Sequence, residues 1–404
     1  MKKFHFPLLF EDGGFTISDK KKGIEIINSG QITMSSITKK FEKKFAKTVG
    51  SKYALMVNSG SSANLLAAFA ACNPKRKNKF VNGQEFLIPA VCWPTSLWPF
   101  VQAGLKPVFV DINLETLNIN LEDLKRKISA KTKVIVLVHV LGMCSDLDEI
   151  KNLCEKKNII LIEDSCEAFG SKYKKKFLGT LSDFGTYSFY YSHHITSGEG
   201  GMIVCQSDED YEILSALRAH GWTRDMLNKK SIERKFSNLD SRFLFVNSGF
   251  NLRPTEIQAA IALNQLKEFK KKKESRTYNK NLIYRKLINH KKWKDQFMTI
   301  HEKINIEPNW FGIPMIIEQK FLKNKEIFFK QLQNNGIENR PIISGNFVNQ
   351  PSFNLYKFKD FNYKKTLKNA QLVHEGGFYI GIQNKKISNE LADYVVENLL
   401  KIKA

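Results

Sequence analysis

Cysteine is scarce in this chain. The six that occur, at positions 72, 92, 144, 154, 166 and 205, are scattered, and no Cys-x-x-Cys pair is among them. That spacing indicates neither a zinc site nor a disulfide framework, so no metal is expected, and such cysteines read as small buried hydrophobes of a reducing compartment. Also lacking is any apolar run near the roughly 20 residues that would span a bilayer. The opening MKKFHFPLLFEDGG has too short an apolar stretch for a secretory signal, which leaves the cytoplasm as the expected compartment and no membrane partner. Internal repeats and low-complexity linkers are missing too. Acidic residues are few, 40 against 63 lysines and arginines, for a net charge of +23. That excess invites a nucleic-acid partner. The lysines, however, are spread in short runs such as KKK at 20–22, 174–176 and 271–273, with no recognisable nucleic-acid-binding module. Solvated faces, and attraction of an anionic small substrate, fit that dispersal better than nucleic acid.

What is present is a chain of 404 residues, 42% hydrophobic and 25% charged, enough for a large domain and a smaller one. SITKKFEKKFAKTVG puts Ile37, Phe41, Phe45 and Val49 on one helical face and ends on glycine. YALMVN then reads as a buried strand, and SGSSANLLAAFAAC as a turn feeding a helix. Strands EFLIPA, KPVFVDI, TKVIVLVHVLG, NIILIED, GTYSFYY and GMIVCQS follow, with helices such as SLWPFVQAG and SDLDEIKNLCEKK between them. Near-continuous Val/Ile/Leu runs separated by helices predict a parallel or mixed sheet covered on both faces. Beyond GFNLRPTEIQAA a long basic helical stretch runs from 266 to about 290. A more aromatic region follows, with the strand candidate WFGIPMII. The shift predicts a large domain over 1–270 and a smaller one over 271–404.

Ligands of α/β sheets sit at the carboxyl ends of strands. Asn58-Ser59-Gly60-Ser61-Ser62-Ala63-Asn64 follows a strand and opens a helix, which suits a phosphate, although serine and asparagine cap ordinary helices equally well. Ile159 to Ile162 end in Glu163 and Asp164, carboxylates that suit a protonated pyridine nitrogen, a helix cap or a metal. Trp93, after FLIPA, suits stacking on a planar cofactor as well as core packing. SFYYSHHITSGEGG at 188–201 leads into a strand rather than a helix, so its GEGG is a poor nucleotide loop.

In that order and spacing, SGSSANL, IPAVCWPTS, EDSCEAFG, SFYYSHHITSGEGG and GFNLRPTEIQAA resemble the DegT/DnrJ/EryC1/StrS family of fold-type I pyridoxal 5'-phosphate (PLP) enzymes, most closely over residues 30–270. The resemblance implies the aspartate aminotransferase-like fold: a large mixed-sheet, three-layer α/β domain with a smaller C-terminal α+β domain. In the family's usual loop a lysine stands four residues after Ser-Phe and forms a Schiff base with the cofactor. Here that place holds His193, which cannot form the imine but can move protons near neutral pH. A subgroup of similar sequence, the sugar 3-dehydratases, carries such a histidine and uses PLP or pyridoxamine 5'-phosphate (PMP). It removes the C3 hydroxyl of nucleotide-linked 4-keto-6-deoxyhexoses; the likeness is greatest to the branch acting on GDP-4-keto-6-deoxy-D-mannose in colitose-type synthesis.

One branch of the subgroup needs a [2Fe–2S] cluster held by about four cysteines. Only Cys205 lies beyond the histidine loop here, so no cluster is expected and glutamate is the expected amino donor. The resemblance further implies that Asp164 pairs with the pyridine nitrogen and Trp93 stacks near the ring. Gly60, Ser61 and Ser188 would hold the phosphate, and Glu167 would pack by the ring or its hydroxyl. Asn251 would reach the phosphate of the partner subunit in a homodimer with shared active sites. His220, with Arg218 and Arg224, is a candidate for the sugar and the diphosphate, although a salt-bridged surface turn fits that segment as well. His194 reads as a structural neighbour.

Overall fold

The computed structural model describes residues 4–8, 14–77, 80–356, 358 and 363–404. Seven strands make the central sheet: β1 Tyr53–Val57, β2 Glu85–Pro89, β3 Lys106–Val110, β4 Thr132–Val138, β5 Ile160–Asp164, β6 Phe184–Ser188 and β7 Gly201–Cys205. Their order is β1-β7-β6-β5-β4-β2-β3. The strands from β6 through β5, β4 and β2 to β3 are parallel, and β7 is antiparallel to both β6 and β1. Every residue of β4 to β7 is buried, which explains why β4, β5 and β7 read as apolar runs instead of alternating ones.

The sheet is covered on both faces. Along β1, Leu55 and Val57 enter the main core while Ala54 and Met56 enter a second cluster, and β7 divides Ile203 from Met202 and Val204 in the same way. Helices α1 Ile17–Ser29 and α2 Ser36–Val49 precede the sheet, and α3 Gly60–Ala71 and α4 Pro94–Gln102 connect its first strands. α2 buries Phe41, Phe45 and Val49 in the second cluster, as its spacing predicts, and stops at Gly50, whose φ of +80° suits glycine. The result is the mixed-sheet, three-layer architecture of fold-type I.

After the sheet come α5 Asp208–Arg218, α6 Glu256–Gln265 and α7 Phe269–Ile288. The basic helical stretch expected from 266 to about 290 is α7, beginning three residues later, and a turn separates it from α6. Lys267 and Glu268 donate to the Asn264 and Gln265 carbonyls at 3.2 Å each, a tightened turn that closes α6. The ring of Phe269, centred 5.1 Å from that of Phe169, then seats the start of α7.

A second, antiparallel sheet follows: β8 Phe297–Thr299, β9 Ile313–Ile317, β10 Asn339–Pro341 and β11 Gly377–Ile380, in the order β8-β9-β11-β10. Of these only β9 was long and apolar enough to be read from WFGIPMII. α8 Asn389–Leu399 closes the chain. Among the described residues no helix is long and apolar enough to cross a membrane.

Candidate active site

A cavity of about 380 Å³ opens where β1, β4, β5 and β6 end, bounded by Ser59, Val138, Asp164 and Ser188. Asp164 is fixed from three sides. Its Oδ2 accepts from Asn64 Nδ2 at 2.8 Å and Ser96 Oγ at 2.6 Å, and its Oδ1 accepts from the Cys166 amide at 3.1 Å. Thr186 Oγ1 in turn donates to Asn64 Oδ1 at 2.6 Å. Glu163, one residue earlier, is wholly buried and serves another end. It accepts from His139 Nε2 at 2.9 Å, the Gly179 and Leu181 amides and Ser182 Oγ. Burial alone would raise its pKa, but these donors, His139 first, hold it below the usual carboxylate range. Successive strand residues point opposite ways, so the pair of carboxylates resolves into one for the cavity and one for the scaffold.

At the phosphate-sized end, Ser59 caps α3 by accepting from the Ser62 amide at 3.0 Å. The first amides of a helix have no carbonyl behind them and favour an anion. Ser61 Oγ lies 2.9 Å from Thr95 Oγ1, and Ser188 Oγ accepts from the Tyr190 amide at 3.2 Å. A Cβ on Gly60 would stand 2.5 Å from Ser188 Cβ, so the helix meets β6 more closely than any other residue allows. Trp93, the N-cap of α4, is 56% exposed, with its ring left as a free platform on the cavity.

His193 is half-buried on the cavity wall between Tyr190 and Phe311, ring centroids 6.1 and 5.1 Å away. Its Nδ1 lies 2.6 Å from the Cys166 carbonyl. A carbonyl only accepts, so Nδ1 carries the proton and Nε2 presents a lone pair. Burial pushes the imidazole down to about 4, against smaller opposing effects of that carbonyl and of Asp164, so it stands neutral as a base. His194 instead turns away: it is buried, its Nε2 donates to the Asn309 carbonyl at 2.8 Å, and it does not line the cavity. Glu167 does line it. Its Oε2 accepts from the Leu141 amide at 3.1 Å, while burial, with the nearby Asp164 charge adding to it, raises the carboxyl to about 7.

The structure thus brings Gly60, Ser61, Trp93, Asp164, Glu167, Ser188 and His193 together. It sets Asn251, Arg218 and Arg224 around a second cavity, of about 710 Å³. Arg218 is buried there, donating to Glu42 Oε1 at 2.7 Å and to the Met56 carbonyl at 3.0 Å. Arg224 lies over the Trp222 ring at 4.9 Å, and Asn251 Oδ1 accepts from Arg253 Nε at 3.1 Å. His220, exposed with a φ of +61°, lines neither cavity. The sequence reading passed over His139, Cys166, Phe311, Ile343 and Tyr379 of the wall. His139 directly follows β4 within TKVIVLVHVLG and was findable by the carboxyl-end rule. Phe311 stands two residues before β9 and Tyr379 lies on β11, and no local pattern marks either as a cavity residue.

The model of the DegT/DnrJ/EryC1/StrS aminotransferase family matches residues 17–400. The chain belongs to that family. Within it, the chain is 37% identical over 380 residues to the GDP-4-keto-6-deoxy-D-mannose 3-dehydratase of Escherichia coli O55:H7, across 93% of this chain and 94% of that one. To the Yersinia pseudotuberculosis protein of the same name it is 36% identical over 378 residues, 93% of each. Among solved structures, the E. coli GDP-4-keto-6-deoxy-D-mannose-3-dehydratase with bound hydrated PLP superposes with a TM-score of 0.89 at 35% identity, covering 98% of this chain and 100% of that one. A structure of GDP-4-keto-6-deoxymannose-3-dehydratase with a trapped PLP–glutamate geminal diamine gives 0.87 at 34%, with the same coverage.

Proposed function

We propose that this chain is a PLP/PMP-dependent 3-dehydratase that removes the C3 hydroxyl of GDP-4-keto-6-deoxy-D-mannose, with glutamate as amino donor, in colitose-type 3,6-dideoxysugar synthesis for lipopolysaccharide O-antigen. The observation that carries it is a neutral histidine base, His193, on a cavity whose described lining holds no lysine. The cavity suits the cofactor on its own evidence: the close approach at Gly60 beside the start of α3, the thrice-held Asp164, and the open face of Trp93.

When bound, PMP supplies an amine for the C4 ketone and a ring that accepts electrons. Gly60, Ser61 and Ser188 would hold its phosphate, Asp164 would pair with its pyridine nitrogen, Trp93 would pack on its ring and Glu167 would meet its ring hydroxyl. His193 takes a proton at Nε2 and returns it to the departing C3 oxygen, which leaves as water. Its Nδ1–H, held by the Cys166 carbonyl, keeps the imidazole from turning between the two transfers. With Arg218 committed to Glu42, the exposed Arg224 is the arginine of its turn proposed for the diphosphate.

We further assign the chain to the cytoplasm, as a homodimer in which Asn251 reaches the partner's cofactor phosphate, and residues 271–404 to the smaller domain. The test is stepwise. With PLP and L-glutamate the enzyme should form 2-oxoglutarate and PMP. Added GDP-4-keto-6-deoxymannose should then release ammonia, faster than its dTDP-, CDP- or UDP-linked counterparts do. Failure of glutamate to convert bound PLP would sink the mechanism.

A further inference from the structure

The cavity poses a charge problem. Its described lining includes Asp164, Glu167 and Glu199 and no lysine or arginine. Yet the proposed amino donor carries two carboxylates, and an anion does not enter an acidic, cation-free pocket without a counter-charge. Arg276 exerts its charge on both His193 and His194, but it is buried and committed to the Trp310 carbonyl at 3.0 Å and Asn384 Oδ1 at 2.8 Å.

Arg340 is differently placed. It lies on β10 directly opposite Tyr379 of β11, and residues opposed in this way project from the same face of a sheet. Tyr379 lines the cavity, its ring centroid 6.2 Å from that of Phe311, which in turn lies 5.1 Å from His193. Burial raises the Tyr379 phenol, and the charges of both Glu167 and Arg340 act on it in opposite senses, so the tyrosine stands between the acidic wall and the arginine. Arg340 is exposed, and its hydrogen bond within the chain is from Nη1 to the Asn339 carbonyl at 3.0 Å. Among the described residues no carboxylate is paired with it.

We infer that Arg340 is the specificity residue for the amino donor, its planar guanidinium receiving a carboxylate of glutamate at the edge of the cavity beside Tyr379. This rests on the reading above that glutamate supplies the amine. Guanidinium fits the task because its parallel N–H groups match a carboxylate's two oxygens. The ketosugar has no carboxylate, and its anionic diphosphate is assigned above to Arg224, so Arg340 is not called on in the dehydration half of the cycle.

The two halves can be measured apart. Arg340→Gln should raise the glutamate concentration for half-maximal conversion of bound PLP, followed by cofactor absorbance, by about ten- to a hundredfold. Enzyme loaded with PMP should dehydrate GDP-4-keto-6-deoxymannose in a single turnover at the parent's rate. Arg340→Lys, which keeps the charge and loses the fork, should fall between parent and Gln variant, and it decides the matter should the Gln variant not fold. Parent-like glutamate dependence in either variant overturns the inference. So does an equal loss in both halves, which would assign Arg340 to the fold or the sugar. If PMP-loaded parent enzyme releases no ammonia from the sugar, the dehydratase reading fails instead, and Arg340 is judged on the glutamate step alone.

Discussion

Burial at Glu167 and His193 leaves two side chains on one cavity with their ordinary proton affinities moved in opposite directions, the carboxyl up to about 7 and the imidazole down to about 4. A glutamate in an unfolded chain ionises near 4.3, so between there and about 7 the folded protein holds one more proton than the unfolded one. Stability from this group is complete below the lower value and is lost as pH rises through the higher one. Glu167→Gln removes that dependence. Relative to the parent, the cofactor-free variant should gain about 3 kcal/mol between pH 4 and pH 8 in urea unfolding; a constant difference across that range would mean that Glu167 is not buried as a protonated acid. These single residues were also the most legible part of the site. A count of four from Ser188-Phe189 fixed His193 in the lysine's place. The two carboxylates Glu163 and Asp164 could not be told apart by local pattern, only by the resemblance that pointed to Asp164; the hydrogen bonds of Glu163 to Gly179, Leu181 and Ser182 give the physical difference between them. Arg340 was invisible for a physical reason: what matters is its neighbour across β10 and β11, and strand pairing over about forty residues leaves no local trace.

At the scale of elements, the decisive contact is the start of α3 against the end of β6. The phosphate proposed for this place would be held by backbone and by small hydroxyls, which demands that helix and strand touch without a side chain between them. Gly60→Ala places its Cβ 2.5 Å from Ser188 Cβ and 3.0 Å from Cys166 Sγ, so the two elements must part. The expected result is a loss of about 1–3 kcal/mol in denaturant unfolding, together with weaker PLP binding in a titration of the cofactor-free protein. Unchanged PLP affinity would mean that the phosphate sits elsewhere. The large sheet was readable because β4 to β7 are buried on both faces and so cannot alternate. The small sheet was not, because β8, β10 and β11 have only three or four residues each, too few for a period to show. The start of α7 was expected at 266 and lies at Phe269, because lysines and helix formers continue through 266–268 and what separates α6 from α7 is a tightened turn without glycine or proline.

For the whole molecule, a net charge of +23 coexists with a candidate active-site cavity whose described lining carries no lysine or arginine. Positive side chains do line the other cavity, where Lys39, Arg224 and Arg253 share the wall with Asn251. If that second surface completes the partner's site, two inactive variants should repair each other. His193→Asn and Asn251→Ala, each alone of low activity, should regain about one quarter of parental turnover when mixed and refolded one to one, because half the dimers are then mixed and each mixed dimer has one intact site. No recovery, with mixed dimers demonstrated, would place Asn251 outside the partner's site.

The tautomer of His193 is set by the main-chain carbonyl of residue 166 and not by a side chain. Every amino acid carries that same acceptor. Substitution at position 166 can therefore reshape the cavity, where the cysteine thiol now sits against Gly60, without disturbing which nitrogen bears the proton. With His193 as the proposed base, the shape of the pocket and the readiness of that base would be inherited separately, so the one could drift toward a new sugar while the other stayed in service.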